Sequence, residues 1–272
     1  MRAWQLNSMR ITEPATMLKK HINIMLVSHT NAGKTTLIRT LLGKDVGEVR
    51  DAPDVTLSVS SFDLATVADH GTLCLWDTPG FGDSFRLAKR LAMKYRWARW
   101  IVREGWDRYR NPRLWRSQRV AIDIKQRADV ILYLVNALER PVDAVYVQPE
   151  LSVLGWIDKP VLVILNQSGD FQQSEIVKGT IQEWLAALCT YPVVRSTIDL
   201  DSFTRCWVQE LALYDEIGNI LDDSLRSSYD QLAQTIKSEH HKRFEASVEV
   251  LATYLSGMAK DNVELTTGWF EK

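Results

Sequence analysis

Residues 28–36 read SHTNAGKTT and follow directly on the apolar run HINIMLV. The pattern G-x-x-x-x-G-K-[ST] is met except at its first position, where Ser28 stands in place of glycine. A stretch of this kind can hold phosphate. Backbone N–H groups from Thr30 to Thr35, including those of Asn31, Ala32 and Gly33, can wrap a β-phosphate, with Thr36 alongside. Lys34 would reach the β- and γ-phosphates, and the Thr35 hydroxyl would ligate Mg²⁺. Ser28 is expected either to take up glycine-type backbone angles at some cost or to tilt the entry of the loop. A chance turn before a helix is the alternative, and the strand-then-helix context weighs against it.

A second motif, LWDTPGFGD at 75–83, closes another apolar run 43 residues after Lys34. Its D-x-x-G places Asp77 near Mg²⁺ and lets the Gly80 N–H meet a γ-phosphate, so that Gly80 becomes a hinge when that phosphate is lost.

These residues need a scaffold, and the patterning supplies one. INIMLV (22–27) reads as a buried strand and GKTTLIRTLLG (33–43) as a helix ending at Gly43. Residues 44–55 read as loop. TLSVSSFDLATV (56–67) and GTLCLWD (71–77) read as a hairpin-like strand pair. DVILYLVNA (129–137) and KPVLVILNQ (159–167) suit strands covered on both faces, with a short helix between them. A helix over 174–189 precedes a short sixth strand at 191–196, and helical patterning fills about 201–260. Strands alternating with helices argue for an α/β fold with a mostly parallel sheet.

The two motifs together resemble the translation-factor-related GTPases, in particular the TrmE–Era–EngA–septin group, whose phosphate loops read G-x-x-N-x-G-K-[ST]. They are similar also to bacterial Era/TrmE-like GTPases with a C-terminal extension. The resemblance implies a three-layer P-loop NTPase domain over 21–200, after a lead-in at 1–20. A helical insertion at about 84–127 would follow switch II, and a helical extension would occupy 201–272. It implies GTP and GDP as ligands, Mg²⁺ held by Thr35, Thr56 and Asp77, and Thr56 as the switch-I threonine. Thr56 read alone is equally a β-branched residue opening a strand.

In such proteins N-K-x-D reads guanine. Here the segment is NQSGD, 166–170. Asn166 is in place, Gln167 replaces the lysine, and Asp170 lies one residue late. Either a bulge at Gly169 brings Asp170 to the base, or Asp170 is a solvated acid and base selection is weak. RST at 195–197 resembles a degenerate S-A-K loop, in which backbone N–H groups around Ser196 would touch the guanine oxygen. Phe81 stands where Ras-like proteins carry the glutamine that orients water. In relatives with asparagine at the position of Asn31, that side chain helps hold K⁺ between the phosphates. The alternative is that Asn31 only braces the loop. Catalysis would thus rest on Asn31, Lys34, Thr56 and Gly80, through positioning and charge rather than a general base. The reading is a GTP-hydrolysing switch, slow without a partner or dimerisation. Its rivals are a non-hydrolysing interaction module and an ATP-directed P-loop enzyme.

The insertion is basic: residues 84–127 carry 14 Lys/Arg against 3 Asp/Glu, and include Trp97, Trp100, Trp106 and Trp115. Packing on its own domain, docking of a protein partner, and contact of 84–119 with a membrane surface or RNA are all open to it. The 272-residue chain as a whole has a net charge of −1, so any pull toward nucleic acid or lipid is local. Three scattered cysteines suit a reducing cytoplasm and form no zinc-ligand spacing. No secretory signal pattern or apolar span long enough to cross a bilayer is visible, so a cytoplasmic protein is expected, with peripheral membrane contact as the alternative. The helical tail is expected to pack as core or to pair with another chain, as a homodimer or with an unidentified protein.

Overall fold

The computed structural model describes residues 21–29, 32–43, 50–51, 60–93, 102–166, 175–200 and 207–260. Thr30, Asn31, Thr56, Gln167, Asp170, and the tryptophans Trp97 and Trp100, lie outside these residues.

The strands are β1 (His21–Ser28), β2 (Arg50–Asp51), β3 (Ser60–Val67), β4 (Gly71–Asp77), β5 (Val130–Asn136), β6 (Val161–Asn166) and β7 (Val194–Asp199). They form one sheet in the order β2-β3-β4-β1-β5-β6-β7. β4, β1, β5, β6 and β7 run parallel, and β3 turns back antiparallel on β4 as the expected hairpin. The helices are α1 (Lys34–Leu42), α2 (Ser84–Leu91), α3 (Pro112–Arg127), α4 (Val147–Ile157), α5 (Glu175–Leu188), α6 (Trp207–Ile220) and α7 (Asp223–Lys260). Between α2 and α3 a wide π-type turn (Val102–Asp107) runs into a short helical turn (Arg108–Arg110).

β5 shows why the layers form. Ile131, Tyr133 and Val135 face one side, with Leu87, Ile124 and Leu154 of α2, α3 and α4. Val130, Leu132 and Leu134 face the other, with Leu37, Leu213 and Leu232 of α1, α6 and α7. Alternation places each residue in one of two cores, so a strand buried on both faces reads as a continuous apolar run.

One feature departs from expectation. The sixth long strand begins at Val194 rather than 191, because Tyr191–Val193 form a turn in which the Val194 N–H donates to the Tyr191 carbonyl at 3.0 Å. Pro192 has no N–H to give a ladder. Ser196 is therefore inside β7, paired with Leu162, and not in a loop after the strand. Its hydroxyl donates to Glu216 of α6 at 2.7 Å.

The helices after residue 200 share a core with the sheet before it. Leu213, Tyr214 and Ile217 of α6 and Tyr229, Leu232, Ala233 and Ile236 of α7 pack on the same sheet face as α1. From His241 to Ala259 the side chains of α7 are exposed. No helix among the described residues is long and apolar enough to cross a membrane.

Candidate phosphate-binding site

The site lies at the carboxyl ends of β1 and β4, beside the first turn of α1. Ser28 is the last residue of β1, is buried, and pairs with Leu134. Among the described residues the only non-glycine positions with positive φ are Asp69 and Asp158, so Ser28 carries none of the expected glycine-type strain. The left-handed position falls instead on Gly33, with φ 90° at the N-cap of α1, where a side chain would be strained. The Leu37 N–H makes the first helical bond, to the Gly33 carbonyl at 3.0 Å. The N–H groups of Lys34, Thr35 and Thr36 thus have no acceptor within the helix, and the positive end of its dipole adds to their attraction for an anion. Thr35 is exposed on this turn.

Lys34 crosses from α1 to the end of β4, where its Nζ donates to Asp77 Oδ1 and to the Thr78 carbonyl. Thr78 is fixed in turn: its hydroxyl donates to the Leu26 carbonyl of β1 at 2.7 Å. Gly80 comes so close to the loop entry that a Cβ there would stand 3.0 Å from the Ser28 carbonyl oxygen. Phe81, by contrast, turns inward to 1% exposure among the residues between the sheet and α2. Asp83 caps α2 by accepting from the Arg86 N–H at 3.0 Å.

Asn166, at the end of β6, is fully buried and donates from Nδ2 to the Ala32 carbonyl at 2.8 Å. It therefore braces the phosphate loop from the side where a base reader is expected. Thr35 offers a hydroxyl and Asp77 a carboxylate, hard oxygen donors of the type that would suit Mg²⁺ if phosphate oxygens completed the shell.

Two further networks carry no motif. His29, the residue after Ser28, presents Nδ1 to Glu150 Oε1 of α4 at 2.9 Å and stacks on Tyr146 with ring centroids 4.0 Å apart. Glu150 is buried, and its other oxygen accepts from the Tyr133 hydroxyl at 2.7 Å. Burial first, then the Glu150 charge, pushes the Tyr133 phenol well above its ordinary range. In the second network, fully buried Asp107 accepts from Arg90 Nη2 of α2 at 3.1 Å, pairs with its Nε at 3.1 Å, and accepts from Gln118 of α3 at 2.8 Å. Arg108 lies over the Trp115 ring at 5.8 Å and Arg110 over Trp106 at 5.3 Å, so these described cations and indoles satisfy one another within the insertion.

Fold and site together define a P-loop nucleotide-binding domain. The chain belongs to the family described as 50S ribosome-binding GTPase, which matches residues 23–167, more than half its length. It therefore carries a P-loop GTPase domain. It is 35% identical over 79 residues to the probable GTP-binding protein EngB of Methanococcus aeolicus, a match spanning 29% of this chain and 32% of that relative. The chain thus spans about a third of the length of the curated relative it matches. Among solved structures, Aquifex aeolicus Era bound to GDP·AlF4⁻ shares 21% identity at a TM-score of 0.47, over 75% of this chain and 58% of that one. A probable GTP-binding protein EngB shares 19% at 0.44, over 75% and 99%.

Proposed function

We propose that the chain binds GTP and GDP with Mg²⁺ and hydrolyses GTP slowly, as a nucleotide-dependent switch. The observation that carries this reading is Lys34, held between Asp77 and the Thr78 carbonyl beside the Gly33-capped start of α1. A bound phosphate would compete with these oxygens for the ammonium. Thr35 and Asp77, with Thr56, would hold Mg²⁺, which supplies charge to offset that developing on the phosphate oxygens. The Gly80 N–H would sense the γ-phosphate, and Asn31 would favour turnover through K⁺. Asn166, with Gln167 and Asp170 after it, would set the preference for guanine. Ser196 is not part of this proposal, since it lies within β7, paired with Leu162, and not in a loop after that strand.

The basic insertion is the surface that would report nucleotide state to a partner. Asp107 ties it to α2, which begins at Ser84, shortly after Gly80. A ribosomal RNA surface suits its charge and the family's description, with a protein partner or a second copy as alternatives. Cytoplasmic residence is part of the same proposal. One observation favours a second reading, a nucleotide-binding module with little hydrolysis: Phe81 is buried in the core, so no side chain there reaches a water. Affinities for GTP, GDP and ATP with Mg²⁺, followed by single-turnover hydrolysis in KCl and in NaCl, test both. Tight guanine-nucleotide binding with turnover faster in KCl supports the switch. Binding without turnover in either salt favours the module, and tighter ATP binding overturns guanine selection.

A further inference from the structure

The pair His29–Glu150 lies 121 residues apart in sequence and joins the entry of the phosphate loop to α4. Glu150 is 1% exposed, and a buried carboxylate is costly unless it is paired and hydrogen-bonded. Among the described residues no lysine or arginine reaches it; its partners are His29 Nδ1 at 2.9 Å and the Tyr133 hydroxyl at 2.7 Å. The imidazole is held on a second side by Tyr146, stacked at 4.0 Å and 17°. Tyr146 is itself tied down, its hydroxyl donating to Glu139 Oε2 at 3.1 Å in the loop after β5. The charged and titratable groups around His29 are therefore Glu150 of α4, Tyr133 of β5, and Tyr146 and Glu139 of the connection between them.

Backbone geometry makes this clamp consequential. The His29 carbonyl accepts from the Ala32 N–H at 3.4 Å, closing the turn that carries the loop toward Gly33. The preceding carbonyl, of Ser28, is the atom against which Gly80 packs. A ring fixed on α4 thus sets the backbone direction at a point shared by both motifs. Asn166 braces the far side of the loop through Ala32. With both braces in place the loop N–H groups are oriented before phosphate arrives, which lowers the ordering cost of binding.

The geometry points to His29 as a positioning residue for phosphate, acting through its bond to buried Glu150. The inference rests on the nucleotide-binding reading above. His29→Ala and Glu150→Ala should each weaken GDP affinity about 10-fold, with the double variant no weaker than either single one, because both remove the same clamp. His29→Gln, which keeps a donor, should restore affinity to within about threefold. Hydrolysis of GTP already bound should change less than affinity does. A control for stability alone is Ile157→Val or Ile157→Ala, whichever matches the loss in melting temperature. It lies in α4 away from the pair and should leave affinity unchanged. Without nucleotide, hydrogen exchange of a peptide spanning 22–37 should quicken in Glu150→Ala and not in the Ile157 variant. Additive effects of the two single variants, or equal effects of the matched control on affinity and exchange, would overturn the inference while leaving the nucleotide site intact. Failure of the unaltered protein to bind GDP would bring down both.

Discussion

Gly80 and Ser28 meet backbone to backbone, with only 3.0 Å between the Ser28 carbonyl oxygen and the place a Gly80 Cβ would occupy. Gly80 belongs to the loop after β4 and Ser28 is the last residue of β1, so the segments carrying the two motifs touch at this point. Gly80→Ala should push them apart, since a backbone carbonyl in a buried strand cannot yield. A loss of about 1–3 kcal/mol in urea unfolding is expected. The larger effect should be on switching: protection of residues 84–119 from protease should no longer differ between GDP and a non-hydrolysable GTP analogue.

Asp107 places a carboxylate with no solvent exposure between Arg90 and Gln118. Asp107→Ala would leave Arg90, a third exposed, without its anion. Because water can partly replace the partner there, the cost is expected at about 2 kcal/mol rather than the full penalty of a buried pair. Proteolysis of the insertion should become fast and independent of nucleotide.

Phe81 occupies the position of a water-orienting glutamine, and Phe81→Gln is the obvious attempt to speed hydrolysis. The ring is 1% exposed within the core. Substitution removes buried apolar surface and buries an amide, costing about 3 kcal/mol or more by chemical denaturation. Single-turnover hydrolysis should not accelerate, because the side chain at 81 points away from the loop.

High pH should destabilise the fold through its buried tyrosines. Tyr133, Tyr214 and Tyr229 are each at most 1% exposed, and burial raises all three phenols above the ordinary 10.0. The unfolded chain releases these protons near pH 10 while the folded chain keeps them, so stability is present below that pH and is lost as pH rises beyond it. Unfolding free energy should be flat from pH 8 to about 9.5 and fall by pH 11.

Much of this site was legible because its chemistry is local. Gly33-Lys34-Thr35 after an apolar run needs no distant partner to be recognised, and α1 ends at Gly43 in a left-handed cap as its glycine suggests. β4 spans 71–77 as its pattern indicates. Of the two outcomes open to Ser28, glycine-type angles are not the one it takes; the left-handed position is Gly33, a distinction the motif alone does not reveal. Ser196 was misjudged because Pro192 delays β7 by a turn, which composition alone does not reveal. The His29–Glu150 and Arg90–Asp107 pairs had no signal, since each depends on a tertiary approach between elements whose separation no spacing rule encodes. Likewise, Tyr229 and Leu232 showed helical periodicity without showing which sheet face they would cover.

The central claim is that the turn before α1 is an anion cradle completed by the ammonium of Lys34. Its most direct test is titration of a fluorescent GDP analogue with Mg²⁺ into the unaltered protein and into Lys34→Ala. The account predicts saturable binding by the first and a dissociation constant raised about 100-fold or more in the second, with thermal unfolding little changed. Equal affinity in the two proteins would contradict it.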